Sequence, residues 1–399
     1  MKKVAVVSCY FQHNYGSMLQ AYATQMALDK LGYENETIDI SGFNGEIKKA
    51  KMLYFAKASL TSDILLSKLG MAKTVLMRRF SKNEYAANSH IRAEKFDSFS
   101  KKYFRLSPVY NSKAELGSKC DENYSAVLVG SDQLWLPGNI AADYYTLNFV
   151  PESVNTIAYA TSFGQSSLPK DSAEKAKVFL KKIKHIGVRE ESGQKLVKEL
   201  VDRDVPVVCD PTLLFTGDEW MSIQQEEPIV KGKYIFCYFL GNNPPHREFA
   251  KRLKEKTGCK IVALTHLDEF VKSDEGYADE TPYDIDPADF LNLIRNAEYV
   301  CTDSFHCSVF SILYKRTFFT FRRYARKTSS STNSRLDTLF NLVDISGRIM
   351  NGDEDIEQCL KASIDFNKTE DNLEVVRMKS RIYLENALLN AGGGYSIIN

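Results

Sequence analysis

Residues 298–321 read EYVCTDSFHCSVFSILYKRTFFTF. Tyr299-Val300-Cys301 is a short apolar run that stops at the polar turn Thr302-Asp303-Ser304. Apolar residues at 305, 309, 310 and 313 then follow the spacing of a buried helix, and a second apolar run at 317–321 reads as a strand. The order strand, turn, helix, strand predicts a parallel α/β unit with Asp303 or Ser304 as the helix cap. His306 falls in the first helical turn, at the C-terminal edge of the sheet, where free backbone N–H groups attract anions. An imidazole there is either placed for chemistry on an anionic ligand or a core histidine satisfied by backbone.

The chain around this unit has 399 residues, more than one core usually supports, so two domains are expected. It is 44% hydrophobic and 26% charged, an ordinary globular composition, and its formal net charge of +1 offers no global attraction for nucleic acid. The eight cysteines are scattered without a C-x-x-C pair or histidines at ligand spacing, so no metal is called for and a reducing compartment is expected. No run reaches the ~18 apolar residues of a spanning helix. The expected location is the cytoplasm.

The first residues repeat the α/β rhythm. Residues 3–8 read as a buried strand, Leu19, Ala23, Met26, Ala27 and Leu31 trace one face of a helix closed by Gly32, and residues 37–40 make a second strand. Residues 46–103 break the rhythm as a helical insertion with thirteen Lys or Arg against five acids. It reads as a solvated insertion, with contact to an anionic membrane surface as the alternative. Strands return at 126–129, 156–161, 185–189 and 205–209. The rim formed by their C-terminal ends carries Asp132, Ser162 and Arg189. Polar residues near 220–233 mark a boundary. The expected domains are 1–222 and 233–365, each Rossmann-like, with a helix in 366–399 returning to the first domain before a glycine-rich tail.

Four clusters are candidates for chemistry. Asn14, Tyr15, Gly16 and Ser17 stand at a strand-to-helix junction, where glycine admits close backbone approach, although G-x-G-x-x-G spacing is absent. Asp132 and Gln133, followed by Trp135, combine a carboxylate on a strand-end turn with an aromatic platform, which suits a sugar. Arg189 ends a strand and opens a helix, well placed to fork onto a carboxylate or phosphate. After His306, six cations fall within residues 315–327, among them Arg322, Arg323, Arg326 and Lys327. The aromatic and glycine pattern of an RNA-binding module is missing, so a small polyanion fits this cluster better than nucleic acid.

Six segments taken in order resemble the polysaccharide pyruvyl transferase family. They are NYGSMLQAYATQ (14–25), VGSDQLW (129–135), AYATSFG (158–164), VREESG (188–193), CDPTLL (209–214) and TDSFHCSVFS (302–311). The last has Cys307 where the family's motif usually has glycine. The resemblance implies a GT-B-like pair of Rossmann-type domains facing across a cleft. It also implies phosphoenolpyruvate as co-substrate, with no cofactor and no metal, and transfer of pyruvate as a cyclic ketal onto a sugar of a cell-surface glycan such as capsule or exopolysaccharide. On this reading His306 is the acid, Asp132 accepts a proton from the sugar, and Arg189, Ser304 and Arg326 or Lys327 hold the donor. The acceptor side is then Asn14, Tyr15, Gly16, Ser17, Gln133 and Trp135, with a lipid-linked acceptor placing the protein at the inner face of the membrane. The alternatives are a GT-B glycosyltransferase using a nucleotide sugar and a non-catalytic glycan-binding scaffold. The acceptor sugar and the oligomeric state are open.

Overall fold

The computed structural model describes residues 2–58, 84–266, 271–323, 334–345 and 347–389. Its ten strands in chain order are β1 (Lys3–Val7), β2 (Asn35–Thr37), β3 (Tyr124–Asp132), β4 (Asn155–Thr161), β5 (His185–Val188), β6 (Tyr234–Tyr238), β7 (Lys260–Ala263), β8 (Tyr299–Thr302), β9 (Thr317–Phe321) and β10 (Ile349–Met350). The helices are α1 (Tyr15–Lys30), α2 (Asn44–Ala58), α3 (Glu84–Tyr103), α4 (Lys113–Asn123), α5 (Pro137–Ala142), α6 (Lys170–Lys182), α7 (Glu191–Val201), α8 (Pro244–Thr257), α9 (Pro287–Asn296), α10 (Phe305–Leu313), α11 (Ser334–Leu342), α12 (Ile356–Lys361) and α13 (Phe366–Leu389).

Two parallel five-stranded sheets result, ordered β2-β1-β3-β4-β5 and β10-β9-β8-β6-β7. Counted within each sheet the order is the same, so both are doubly wound and both reverse direction beside their first strand. That reversal opens a crevice at the C-terminal ends of β1 and β3 in one sheet, and of β6 and β8 in the other. Period-2 alternation explains why both faces are apolar. Val4 and Val6 of β1 share an inner layer with Ala126 and Leu128 of β3, while Ala5, Val7, Val127 and Val129 fill the outer layer. The inner layer continues without a break into Tyr234, Phe236, Val300 and Phe318 of the second sheet.

The lobes are therefore docked through a shared core. Tyr15, at the start of α1, stacks on Phe290 of α9 at 4.6 Å and donates its hydroxyl to the Ile285 carbonyl at 3.1 Å. Arg92 of α3 reaches the other lobe by donating to the carbonyls of Thr265 at 2.9 Å and Pro282 at 3.0 Å. Local signals set the helix ends. Asn14 caps α1 by accepting from Ser17 N at 3.1 Å, and Gly32 takes φ 78° just beyond that helix. Asp286 and Asp289 form a capping box at α9, with Pro287 in its first turn.

Some expectations change. The run 205–209 forms a single bridge, Val188 with Val207, because Pro206 has no N–H for a ladder. Of the insertion expected at 46–103, residues 59–83 lie outside the described residues. α2 exposes Met52 and Leu53, but α3 buries Phe96 and Phe99 in the shared core. The three-residue strand β2 precedes the run expected at 37–40, whose Ile38 and Ile40 are buried all the same.

α13 lies against the first sheet. Asn155 Nδ2 donates to the Ala387 carbonyl at 2.8 Å, Tyr383 to the Ala158 carbonyl at 3.0 Å, and buried Arg377 Nε to the Leu213 carbonyl at 2.8 Å. Arg377→Met should leave that carbonyl unpaired and cost about 1–3 kcal/mol in urea unfolding. An unchanged midpoint would show that the Arg377 bond adds nothing to the docking of α13.

Candidate active site

Segments of both lobes converge where the two crevices meet. Asp132 ends β3 with φ 72°. Its Oδ2 accepts from Ser17 Oγ at 2.7 Å, and its Oδ1 lies 3.5 Å from Arg189 Nη2. Arg189, just past β5, is buried and donates from Nη1 to Asp210 Oδ2 at 2.8 Å. Asp210 is also buried. Its Oδ2 accepts from Ser131 Oγ at 2.8 Å, and its Oδ1 accepts from Thr212 N at 3.1 Å and Thr212 Oγ1 at 2.7 Å.

From the second lobe, Ser304 caps α10 by accepting from Cys307 N at 3.4 Å. His306 in the first turn sets Nε2 3.5 Å from Asp210 Oδ2, too long for a strong hydrogen bond. The opposite side of the imidazole lies against Gly16. A Cβ built there would overlap His306 Nδ1, Cγ and Cβ, so only glycine lets α1 and α10 meet end to end. Phe305, the residue before His306, has the Arg189 guanidinium 4.7 Å and that of Arg335 5.7 Å from its ring centroid.

The electrostatics separate the carboxylates. Burial opposes the charge on Asp210, but His306, Arg189 and Thr212 outweigh it and hold the carboxyl far below the usual range. Asp132 is likewise lowered against its burial, by Arg189, His306, Arg335 and Ser17. Glu190 goes the other way. Burial raises it despite Arg189 and a 2.8 Å hydrogen bond from Ser162 Oγ. Burial and then repulsion by Arg189 push Arg335 down to about 9. Among the described residues no hydrogen-bond partner meets Arg189 Nε and Nη2, Arg335 Nε, Glu190 Oε2 or His306 Nε2, all buried. The cluster has charge on both sides and unfilled bonding positions on each.

The structure thus brings Gly16, Ser17, Asp132, Arg189, Ser304 and His306 together, with Asn14 as the cap of α1. The Ser304 hydroxyl is occupied as a cap. Trp135 is corrected: its indole is wholly buried, donates to the Tyr145 carbonyl at 3.0 Å and packs on Phe163 at 5.0 Å, so it is core and no sugar platform. Tyr15 is an interlobe contact, buried with its hydroxyl spent on Ile285. Gln133 stays half-buried beside Gly164, its amide nitrogen unpartnered among the described residues. Arg326 and Lys327 lie outside the described residues. Arg322 pairs with Asp337 at 2.7 Å, and Arg323 lies 3.6 Å from Asp303, whose two oxygens accept from Leu240 N and Gly241 N at 2.7 and 2.9 Å. Asp210, Glu190 and Arg335 escaped the sequence reading. Asp210 gave the same signal as Asp132, a carboxylate closing an extended run. Arg335 has no local signal at all.

Asp210→Asn should destabilise by about 3–5 kcal/mol at neutral pH, because Arg189 loses its buried partner. The folded-state pKa of Asp210 is depressed, so this difference should be constant above its unfolded pKa of about 3.9 and shrink as pH falls further. A gap unaffected by pH would remove the charge from that account. Gly16→Ala should cost about 1–3 kcal/mol by overpacking on His306, read as a lowered melting temperature.

Comparison with known proteins agrees with this architecture. A UDP-N-acetylglucosamine 2-epimerase from Rickettsia bellii aligns over 98% of each chain with TM-score 0.55 at 11% identity. A Listeria monocytogenes structure under the same enzyme description aligns over 98% of this chain and 95% of its own, with TM-score 0.51 at 12% identity. At that identity the likeness is one of fold, the two-domain GT-B arrangement. No curated protein matches. The sequence profile for polysaccharide pyruvyl transferase matches residues 14–324, well over half of the chain, and the protein belongs to that family.

Proposed function

We propose that the protein transfers the pyruvyl group of phosphoenolpyruvate onto two hydroxyls of a sugar, closing a cyclic ketal and releasing phosphate. The observation that carries this reading is the pair of buried guanidinium groups over Phe305, in which Arg189 Nε and Nη2 and Arg335 Nε have no hydrogen-bond partner among the described residues. A buried N–H left without an acceptor is costly. A small ligand with a carboxylate and a phosphate supplies those acceptors, and planar guanidinium forks match both groups. The start of α10 adds favourable dipoles at the same place.

Ketal formation begins with a proton delivered to the methylene carbon of the donor, which leaves the neighbouring carbon open to attack by a hydroxyl. His306, wedged between Gly16 and Asp210, is the candidate acid. Asp132 is held below the usual carboxylate range, which makes it a weak base and suits it to balancing Arg189. Glu190, raised by burial and with one oxygen unpartnered, is better matched to accept the proton of the attacking hydroxyl. That hydroxyl bonds to the central carbon, and the oxygen of the second hydroxyl then bonds to the same carbon as the carbon–oxygen bond to phosphate breaks, its proton leaving with the phosphate.

The acceptor in this reading belongs to a cell-surface glycan. No described helix is long and apolar enough to cross a membrane. Exposed Met52 and Leu53 beside Lys48, Lys49 and Lys57 on α2 support an acceptor carried at a membrane surface.

Phosphate release from phosphoenolpyruvate with a set of glycosides, run beside nucleotide sugars, tests the reading. His306→Ala and Arg189→Lys should each lower turnover roughly 100-fold or more. Lysine is chosen at 189 because alanine would strand the buried carboxylate of Asp210. Full activity in His306→Ala, or turnover of a nucleotide sugar without consumption of phosphoenolpyruvate, would overturn the proposal.

A further inference from the structure

A second cavity, of about 110 Å³, lies between the loop before α1, the side of α3 and the ends of β6 and β7. None of its lining belongs to the Arg189–Asp210–His306 cluster, but Asn14 on its wall stands two residues from Gly16. His266, just past β7, faces it. The His266 Nδ1 lies 2.7 Å from Asp274 Oδ2, which also accepts from the His266 backbone N at 3.0 Å. Asp274 is held in turn by Arg247, whose Nη2 and Nε donate to Oδ1 at 2.6 and 3.1 Å.

This chain of bonds fixes the imidazole and leaves Nε2 as its free end. Nε2 is buried and has no partner among the described residues, and the same holds for Arg92 Nε on the facing helix. Both residues line the cavity, and both side chains are about nine-tenths buried. Two of the Arg92 nitrogens are already spent on Thr265 and Pro282. Nε is therefore the guanidinium nitrogen left without a partner, and with both terminal nitrogens already turned to carbonyls the fork that clamps a phosphate is not presented to the cavity. A single donor beside a ring nitrogen that can accept or donate matches a hydroxyl, which does both. Phe96 and Tyr238 add aromatic walls of the kind that pack against the apolar faces of a sugar ring. By the ~10–15 Å³ that one buried water needs, the space holds several waters or one small ring.

We infer that this cavity is a sugar-ring subsite, in which one hydroxyl bonds His266 Nε2 and Arg92 Nε while Asp274 orients the imidazole. With the function proposed above, on which this identification of the ring rests, the ring belongs to the acceptor. Asp274 and Arg247 are positioning residues and touch no ligand.

His266→Asn keeps an amide donor for Asp274 and removes Nε2. Ser89→Trp fills the cavity from the surface of α3 without touching His266. Saturation-transfer NMR with methyl β-galactoside, methyl mannoside and methyl N-acetylglucosaminide should show at least one glycoside bound to the parent protein. That signal should weaken about tenfold or more in His266→Asn and vanish in Ser89→Trp, while calorimetric binding of phosphoenolpyruvate stays within twofold of the parent. No glycoside bound by the parent, or equal binding by His266→Asn, overturns the subsite. UDP bound in place of glycosides, and lost in His266→Asn, overturns the acceptor assignment. If glycosides behave as stated but phosphoenolpyruvate does not bind the parent, the donor reading fails and the subsite stands.

Discussion

The contact of Gly16 with His306 is the constraint on which the rest of the arrangement depends. The start of α1, after β1 of the first lobe, faces the start of α10, after β8 of the second, and the two can approach only where one of them lacks a side chain. Once they meet, Asp210 comes within 3.5 Å of the imidazole, and the first lobe's buried carboxylate faces the second lobe's buried histidine. The shared apolar core and the stacking of Tyr15 on Phe290 then hold this geometry. A cleft closed by packing in this way has little freedom to separate the groups it aligns.

Asp210 is where stability and chemistry overlap. Its two oxygens take four hydrogen bonds, from Ser131, Arg189 and the N and Oγ1 of Thr212, which keep it ionised in the interior. That leaves Arg189 with one end fixed and the other unpartnered, an orientation a free arginine would lose entropy to adopt. Phe305 gathers the second guanidinium, Arg335, onto the same ring. Two guanidinium groups on one ring repel each other, and that repulsion adds to burial in lowering Arg335.

Much of the fold was legible because its signals are local. The continuous apolar runs of β1 and β3, the Asn14 cap, the Gly32 stop and the polar turns after the strands are all set within a few residues. Elements without such signals were missed. The polar helix α4 owes its place to three buried residues, Leu116, Gly117 and Cys120, and β10 is only two residues long. The 205–209 run misled because an apolar pattern does not reveal that Pro206 cannot complete a ladder. Trp135 misled in the same way, since a sequence cannot say whether an indole beside a carboxylate faces water or core.

By itself the sequence determined that this chain makes two doubly wound parallel sheets and that His306, Arg189 and Asp132 stand at strand ends, because strand period, cap chemistry and turn residues act over short distances. Only the tertiary structure decided which of those ends meet. Arg335 joins Arg189 across about 145 residues of chain, and His266 faces Arg92 from the other lobe. Such pairings arise from docking two lobes through one apolar layer, and no short stretch of residues carries the information that fixes that docking.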